Sequence, residues 1–153
     1  FTQYTDTTQI CLSKGLGAPV GSIIAGSEAF IKKARKWRKR LGGGLRQAGI
    51  LAAPGLIALT QMVDRLSEDH ENAKKLADGI ANIEGLECAN QVETNIVLVD
   101  VAKKATTANV FAEQLQAQGI LVSVFGPTLI RLTTNYGVTS EEIDKVLKTL
   151  QSM

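Results

Sequence analysis

The apolar residues of this chain change period near residue 86, and that change limits what it can fold into. From residue 27 to 83 they recur at i, i+3, i+4 and i+7, the mark of amphipathic helices. The first helix is expected over 27–40. Ser27 is its cap, Glu28 lies in its first turn, and Phe30, Ile31, Ala34, Trp37 and Leu41 form its apolar stripe. Gly42, Gly43 and Gly44 end it. A more apolar helical stretch follows over 45–66, with Pro54 at an entry or kink. Its expected buried stripe is Leu56, Leu59, Met62, Val63 and Leu66. A third helix is expected over 67–83, with Ala73, Leu76, Ala77 and Ile80 inward and Gly85 as C-cap. Beyond residue 86, strand-length runs at 94–100, 121–125 and 129–134 flank a helix at 107–118 that Gly119 stops. Thr139 and Glu142 have capping-box spacing and open a last helix with Ile143, Val146, Leu147 and Leu150 on one face. Residues 86–153 thus read as β-α-β-β-α, with helices on one face of a small, mostly antiparallel sheet.

Before the helices, residues 9–12 and 23–26 read as short strands that pair back across a Gly-rich turn. Such a hairpin needs more sheet around it to be stable, and the next strands lie far along the chain. The segment is an odd start for a domain.

Composition narrows the chemistry. The chain has 153 residues, 44% apolar and 21% charged, enough to bury a core. His70 is its one histidine, and Cys11 and Cys88 are its only cysteines. No clustered His/Cys zinc site is available. A Ser-His-Asp or Cys-His machine would have to use His70, which sits among Glu68, Asp69 and Glu71 on what reads as a solvated helix face. Two distant cysteines make no disulfide framework, which suits the cytoplasm. Residues 1–9 have no signal-peptide character, and no apolar run approaches the roughly 20 residues of a bilayer span.

Charge is uneven. Lys32, Lys33, Arg35, Lys36, Arg38, Lys39, Arg40 and Arg46 fall within residues 32–46 with no acidic residue among them. Such a segment is either an electrostatic footprint for nucleic acid or an anionic surface, or a cationic face turned to solvent or a neighbouring subunit.

The chemistry-bearing segment is 13–22, Ser-Lys-Gly-Leu-Gly-Ala-Pro-Val-Gly-Ser. It sets Lys14 at a strand end, before residues that let the backbone approach a ligand closely. A lysine in a suitable environment forms Schiff bases with carbonyl compounds or pyridoxal phosphate, while Gly-rich turns and arginines suit phosphate. The spacing matches neither a Walker A loop nor the Gly-x-Gly-x-x-Gly fingerprint, and by spacing alone such a segment is usually just a turn.

Residues 11–22 closely resemble the cofactor-lysine motif of the low-specificity L-threonine aldolases, fold-type I pyridoxal-phosphate enzymes of the aspartate aminotransferase superfamily. Residues 35–49, with Gly-Gly-Gly-Leu-Arg-Gln-Ala-Gly at their end, resemble that family's basic helix and following turn. Residues 66–77 resemble its next helix. The order and gaps agree, and the resemblance covers the chain from residue 9 onward. It implies an α/β fold, the C-terminal part of a fold-type I subunit. Residues 1–66 would be the remainder of the large cofactor domain and 67–153 a small α+β domain.

The resemblance also implies roles. Lys14 matches the lysine that binds pyridoxal 5'-phosphate covalently, with Ser13, Gly15 and Gly17 around it. Arg46 matches the arginine near the cofactor phosphate, and Arg131 the small-domain arginine that grips the substrate carboxylate. Where the family has a Val-Thr-His type segment, this chain has Thr133, Thr134, Asn135 and Tyr136, which leaves Asn135 without an assigned role. The family's pyridine-nitrogen aspartate and ring-stacking histidine match no residue here.

The implied activity is cleavage of L-threonine or L-allo-threonine to glycine and acetaldehyde, in threonine catabolism and glycine supply. The expected assembly is a homotetramer that includes an N-terminal half beyond this chain, without metal, nucleic acid or membrane. The rival readings are another pyridoxal-phosphate β-eliminating lyase and a basic-helix binding module.

Overall fold

In the computed structural model, which describes residues 2–153, the chain divides into two compact units, Phe1–Arg65 and Leu66–Met153. No helix among the described residues is long and apolar enough to cross a membrane.

The first unit opens with an antiparallel hairpin of β1 (Thr7–Cys11) and β2 (Ser22–Gly26), in register from Thr7 with Gly26 to Cys11 with Ser22. Helix α1 (Glu28–Arg40) follows at once, and the Ser27 hydroxyl accepts the Phe30 N–H at 3.3 Å as its cap. Helix α2 spans Gly49–Gln61. It starts four residues later than the sequence pattern suggests. Gln47 takes a positive φ of 48°, which a continuous helix from residue 45 cannot contain. Pro54 lies inside α2 rather than at its entry.

The expected buried stripe of α2 is also wrong. Leu56 is 64% exposed, Leu59 and Val63 are exposed too, and Gly55 and Ala58 are the residues buried. A contact at small residues explains it. A Cβ on Gly55 would lie 3.3 Å from Leu12 Cδ1, so this is the side of α2 that meets the turn after β1. Helix α1 likewise buries none of its residues, and Trp37 is 56% exposed with the Arg40 guanidinium 5.2 Å from its ring centroid.

The second unit has the sheet and the core. Helix α3 (Leu66–Ile80) leads to β3 (Glu87–Cys88) and β4 (Ile96–Asp100), then α4 (Ala108–Ala117), β5 (Ser123–Val124), β6 (Leu129–Thr133) and α5 (Ser140–Ser152). The strand order is β3-β4-β6-β5, and every pairing is antiparallel. The short β3 adds one strand to the β-α-β-β-α pattern. Val97 and Val99 of β4 stand opposite Leu132 and Ile130 of β6 on one face. They join Ala73, Leu76 and Ile80 of α3, Phe111 and Leu115 of α4, and Ile143 and Leu150 of α5 in one core. Burial of that face agrees with the period-two pattern of the strands.

Caps were legible. Thr107 caps α4, and Thr139 with Glu142 forms a complete capping box on α5. The polar reading of α3 holds for exposed His70 but not for Asp69, which is fully buried. The Asp69 backbone carbonyl accepts the Thr134 hydroxyl at 2.6 Å, and that bond draws this turn of α3 inward to the end of β6.

Helices α3 and α5 cross at Gly79, where a Cβ would come within 2.5 Å of both δ-carbons of Leu147. Gly79→Ala is expected to destabilise the chain by about 1 kcal/mol, because overpacking outweighs the gain in helix propensity. In a Leu147→Ala background the same substitution should instead stabilise by about 1 kcal/mol. Urea unfolding of the four chains measures this reversal of sign.

At the α5 N-terminus, hydrogen bonding of the Glu141 carboxylate to its own backbone N–H, and then to Thr139, holds its pKa below the ordinary glutamate value. A depressed folded pKa favours the folded chain above the unfolded value. That contribution should fade as pH falls through the folded one. A carboxyl-carbon NMR titration should place the Glu141 midpoint below that of glutamate in a short peptide.

Candidate functional site

The turn after β1 is built on three buried residues, Leu12, Leu16 and Ala18. Leu12 N–H donates to Gly21 O at 2.9 Å and Ala18 N–H to Leu12 O at 3.0 Å, while Gly17 N–H closes a tight turn on Lys14 O at 2.8 Å. Gly17 has φ +72° and Gly21 φ +111°, values that favour glycine. Ser13 and Lys14 project from this anchored turn as exposed residues. The segment therefore presents a primary amine on a backbone whose course is fixed on both sides.

Arg46 is exposed on a separate turn, ahead of α2. The N-cap of α2, Ala48, contributes no side-chain cap, and a Cβ on Gly49 would meet nothing within 4 Å. A guanidinium thus stands two residues before an uncapped helix N-terminus with open space at its first residue. Such donors suit a phosphate. The amine is the group that an aldehyde requires and the guanidinium suits a phosphate, the two functions that pyridoxal phosphate carries.

Arg131 belongs to the second unit. It is the middle residue of β6, paired with Leu98 of β4 and Ser123 of β5. Its neighbours Ile130 and Leu132 are buried on the helix side, so Arg131 points out of the opposite face. Its Nε is buried without a hydrogen-bond partner, and its Cζ lies 5.2 Å from the Phe125 ring centroid. Asn135 acts locally: its Oδ1 accepts the Gly137 N–H at 2.9 Å and shapes the turn after β6.

Ser13, Lys14, Gly15 and Gly17 are thus brought together in one turn, Arg46 sits on another turn of the same unit, and Arg131 lies in the other unit. Phe125 enters only with the structure, because its relation to Arg131 depends on strand register.

The profile of the family described as Beta-eliminating lyase matches residues 1–104, more than half of the chain. The chain belongs to the beta-eliminating lyase family. Within the span that this match covers lie the Lys14 turn, the basic helix and the Arg46 turn. The chain is 40% identical over 148 residues to low-specificity L-threonine aldolase 1 of Arabidopsis thaliana, covering 95% of this chain and 41% of that protein. It is 42% identical over 145 residues to the low specificity L-threonine aldolase of Escherichia coli K12, covering 95% and 42%. The chain thus spans well under half the length of these relatives.

Among solved structures, a chain from Exiguobacterium sp. 255-15, provisionally assigned as an aromatic amino acid beta-eliminating lyase/threonine aldolase, superposes with TM-score 0.76 at 23% identity. That match covers 96% of this chain and 44% of the other. SPT with its PLP internal aldimine gives TM-score 0.76 at 19% identity, covering 96% and 39%. The α/β fold of this beta-eliminating lyase relative is therefore part of the fold-type I subunit, as the sequence implies.

If the conformation of the lysine turn depends on Gly17, Gly17→Ala should cost roughly 1–2 kcal/mol through its left-handed backbone. A Cβ there meets only Met62 Cε, at an ordinary 3.5 Å. Denaturant unfolding should therefore show the loss, and a further Met62→Ala change should not recover it.

Proposed function

We propose that the whole protein to which this chain belongs is a pyridoxal-phosphate-dependent aldehyde-lyase that cleaves L-threonine or L-allo-threonine to glycine and acetaldehyde. The observation that carries this reading is the 40–42% identity to named threonine aldolases in alignments that cover 95% of the chain. Family membership and the amine-bearing turn support it.

Lys14 anchors the cofactor covalently through Nζ, and the Ser13–Gly17 turn sets where that nitrogen stands. Arg46 offsets phosphate charge. Arg131 takes the substrate carboxylate and fixes its orientation. When bound, pyridoxal phosphate supplies a sink for the electron pair released as the Cα–Cβ bond breaks. Residues 1–66 are the remainder of the large cofactor domain and 67–153 the small domain.

The exposed apolar residues of the first unit, among them Ile50, Leu56 and Ile57, support a larger assembly. That assembly is the N-terminal part of the subunit and further subunits, up to a homotetramer. The chain alone is inactive. Its two free thiols suit the cytoplasm, and its reaction belongs to threonine catabolism and glycine supply.

The second reading is a lyase that eliminates at Cβ and releases ammonia, favoured by the family description itself. Product analysis of the complete enzyme separates the two. Acetaldehyde formed in step with glycine supports the aldolase, whereas ammonia with a keto acid overturns it. Lys14→Ala in the complete enzyme should abolish turnover and the attachment of cofactor to protein by borohydride reduction. Cofactor still fixed to the protein by borohydride in that variant would remove Lys14 from its role.

A further inference from the structure

The outward face of β6 contains an arrangement that the proposed function does not use. Ser123 of β5 stands directly opposite Arg131 and Val124 opposite Ile130. The next residue, Phe125, therefore lies diagonal to Arg131 on the same face, within reach of a long side chain. Two backbone bonds fix it there: Phe125 N–H and Gly126 N–H both donate to Leu129 O, at 2.8 and 3.1 Å. The Arg131 guanidinium carbon then sits over the Phe125 ring, 5.2 Å from its centroid.

The state of Arg131 makes this contact informative. Its Nε is buried and is the buried side-chain nitrogen or oxygen left without a partner among the described residues. Folded chains rarely leave such a donor empty, since desolvation without a hydrogen bond is unfavourable. A free arginine side chain would rotate its fork to water. This one is held by a ring just past a short edge strand, with its Nε covered and the terminal nitrogens of its fork left for an acceptor. Phe125 itself is 59% exposed, so the ring is not there to fill the core.

We propose that Phe125 is a positioning residue. Its ring and the burial of Nε hold the Arg131 guanidinium in one orientation, so that its terminal N–H groups are set in advance to receive a carboxylate. This inference rests on the reading of Arg131 as the substrate-carboxylate anchor. It adds a residue that works by restricting Arg131 before substrate arrives, which reduces the ordering needed on binding.

The test has two readouts. In the 153-residue chain, the Arg131 Nε–H resonance should be displaced by the ring current of Phe125. Phe125→Leu should return it toward the random-coil position, and Phe125→Tyr should keep it displaced. In the complete cofactor-loaded enzyme, Phe125→Leu should raise KM for the amino acid about two- to five-fold, the range of an exposed cation–π contact. Its kcat should stay within about two-fold, and Phe125→Tyr should restore KM.

Arg131→Lys serves as the control for the underlying reading and should raise KM by roughly ten-fold or more. An unchanged KM in Arg131→Lys overturns the anchor role itself. A raised KM in Arg131→Lys with an unchanged KM in Phe125→Leu overturns the positioning role alone. A resonance that moves while KM does not shows a purely structural ring and likewise overturns it.

Discussion

The pairing of β4 with β6 is the constraint on which the second unit depends. Because side chains alternate, the register that sets Val97 against Leu132 and Val99 against Ile130 also decides what faces the other way. A slip of one residue would put Arg131 into the hydrophobic core and its apolar neighbours into solvent. Burial of the helix-facing residues in this paired register therefore fixes the arginine outward. The Gly79 crossing and the Thr134–Asp69 bond act on the same frame from behind, by seating α5 and the end of β6 against α3.

The first unit is ordered by a different kind of contact. Its lysine turn is seated by Leu12, Leu16 and Ala18, and the partner of Leu12 on α2 is a glycine. The helix approaches closely because Gly55 has no side chain. This anchors the Lys14 turn and leaves large apolar residues of α1 and α2 exposed on the surface of the unit. Hydrophobicity and burial thus separate here, whereas in the second unit they coincide.

That difference explains what could be read from sequence. The caps at Ser27, Thr107 and Thr139 rest on bonds three residues apart, and all three form. Strand periodicity in β4 and β6 identifies the core face because that face is covered by helices of the same unit. The stripe proposed for α2 fails because helical periodicity marks apolar residues without stating what covers them. The α2 start fails for a local reason, the positive φ of Gln47, which composition does not announce. The lysine segment was legible as a motif, since a Gly-rich turn with a lysine is written in consecutive residues. The Phe125–Arg131 contact was not, since it needs the register of two strands.

The two groups of the proposed function also answer to different physical demands. A lysine that bonds covalently to a cofactor needs its backbone held, and the turn meets that need with hydrogen bonds at 2.8–3.0 Å and buried anchors. An arginine that binds a carboxylate reversibly needs its side chain held, because much of the cost of such binding is the loss of rotamer freedom. Backbone bonds cannot supply that restraint, but a ring beside the guanidinium can. Each unit thus restrains the part of its residue that the proposed chemistry requires to be still.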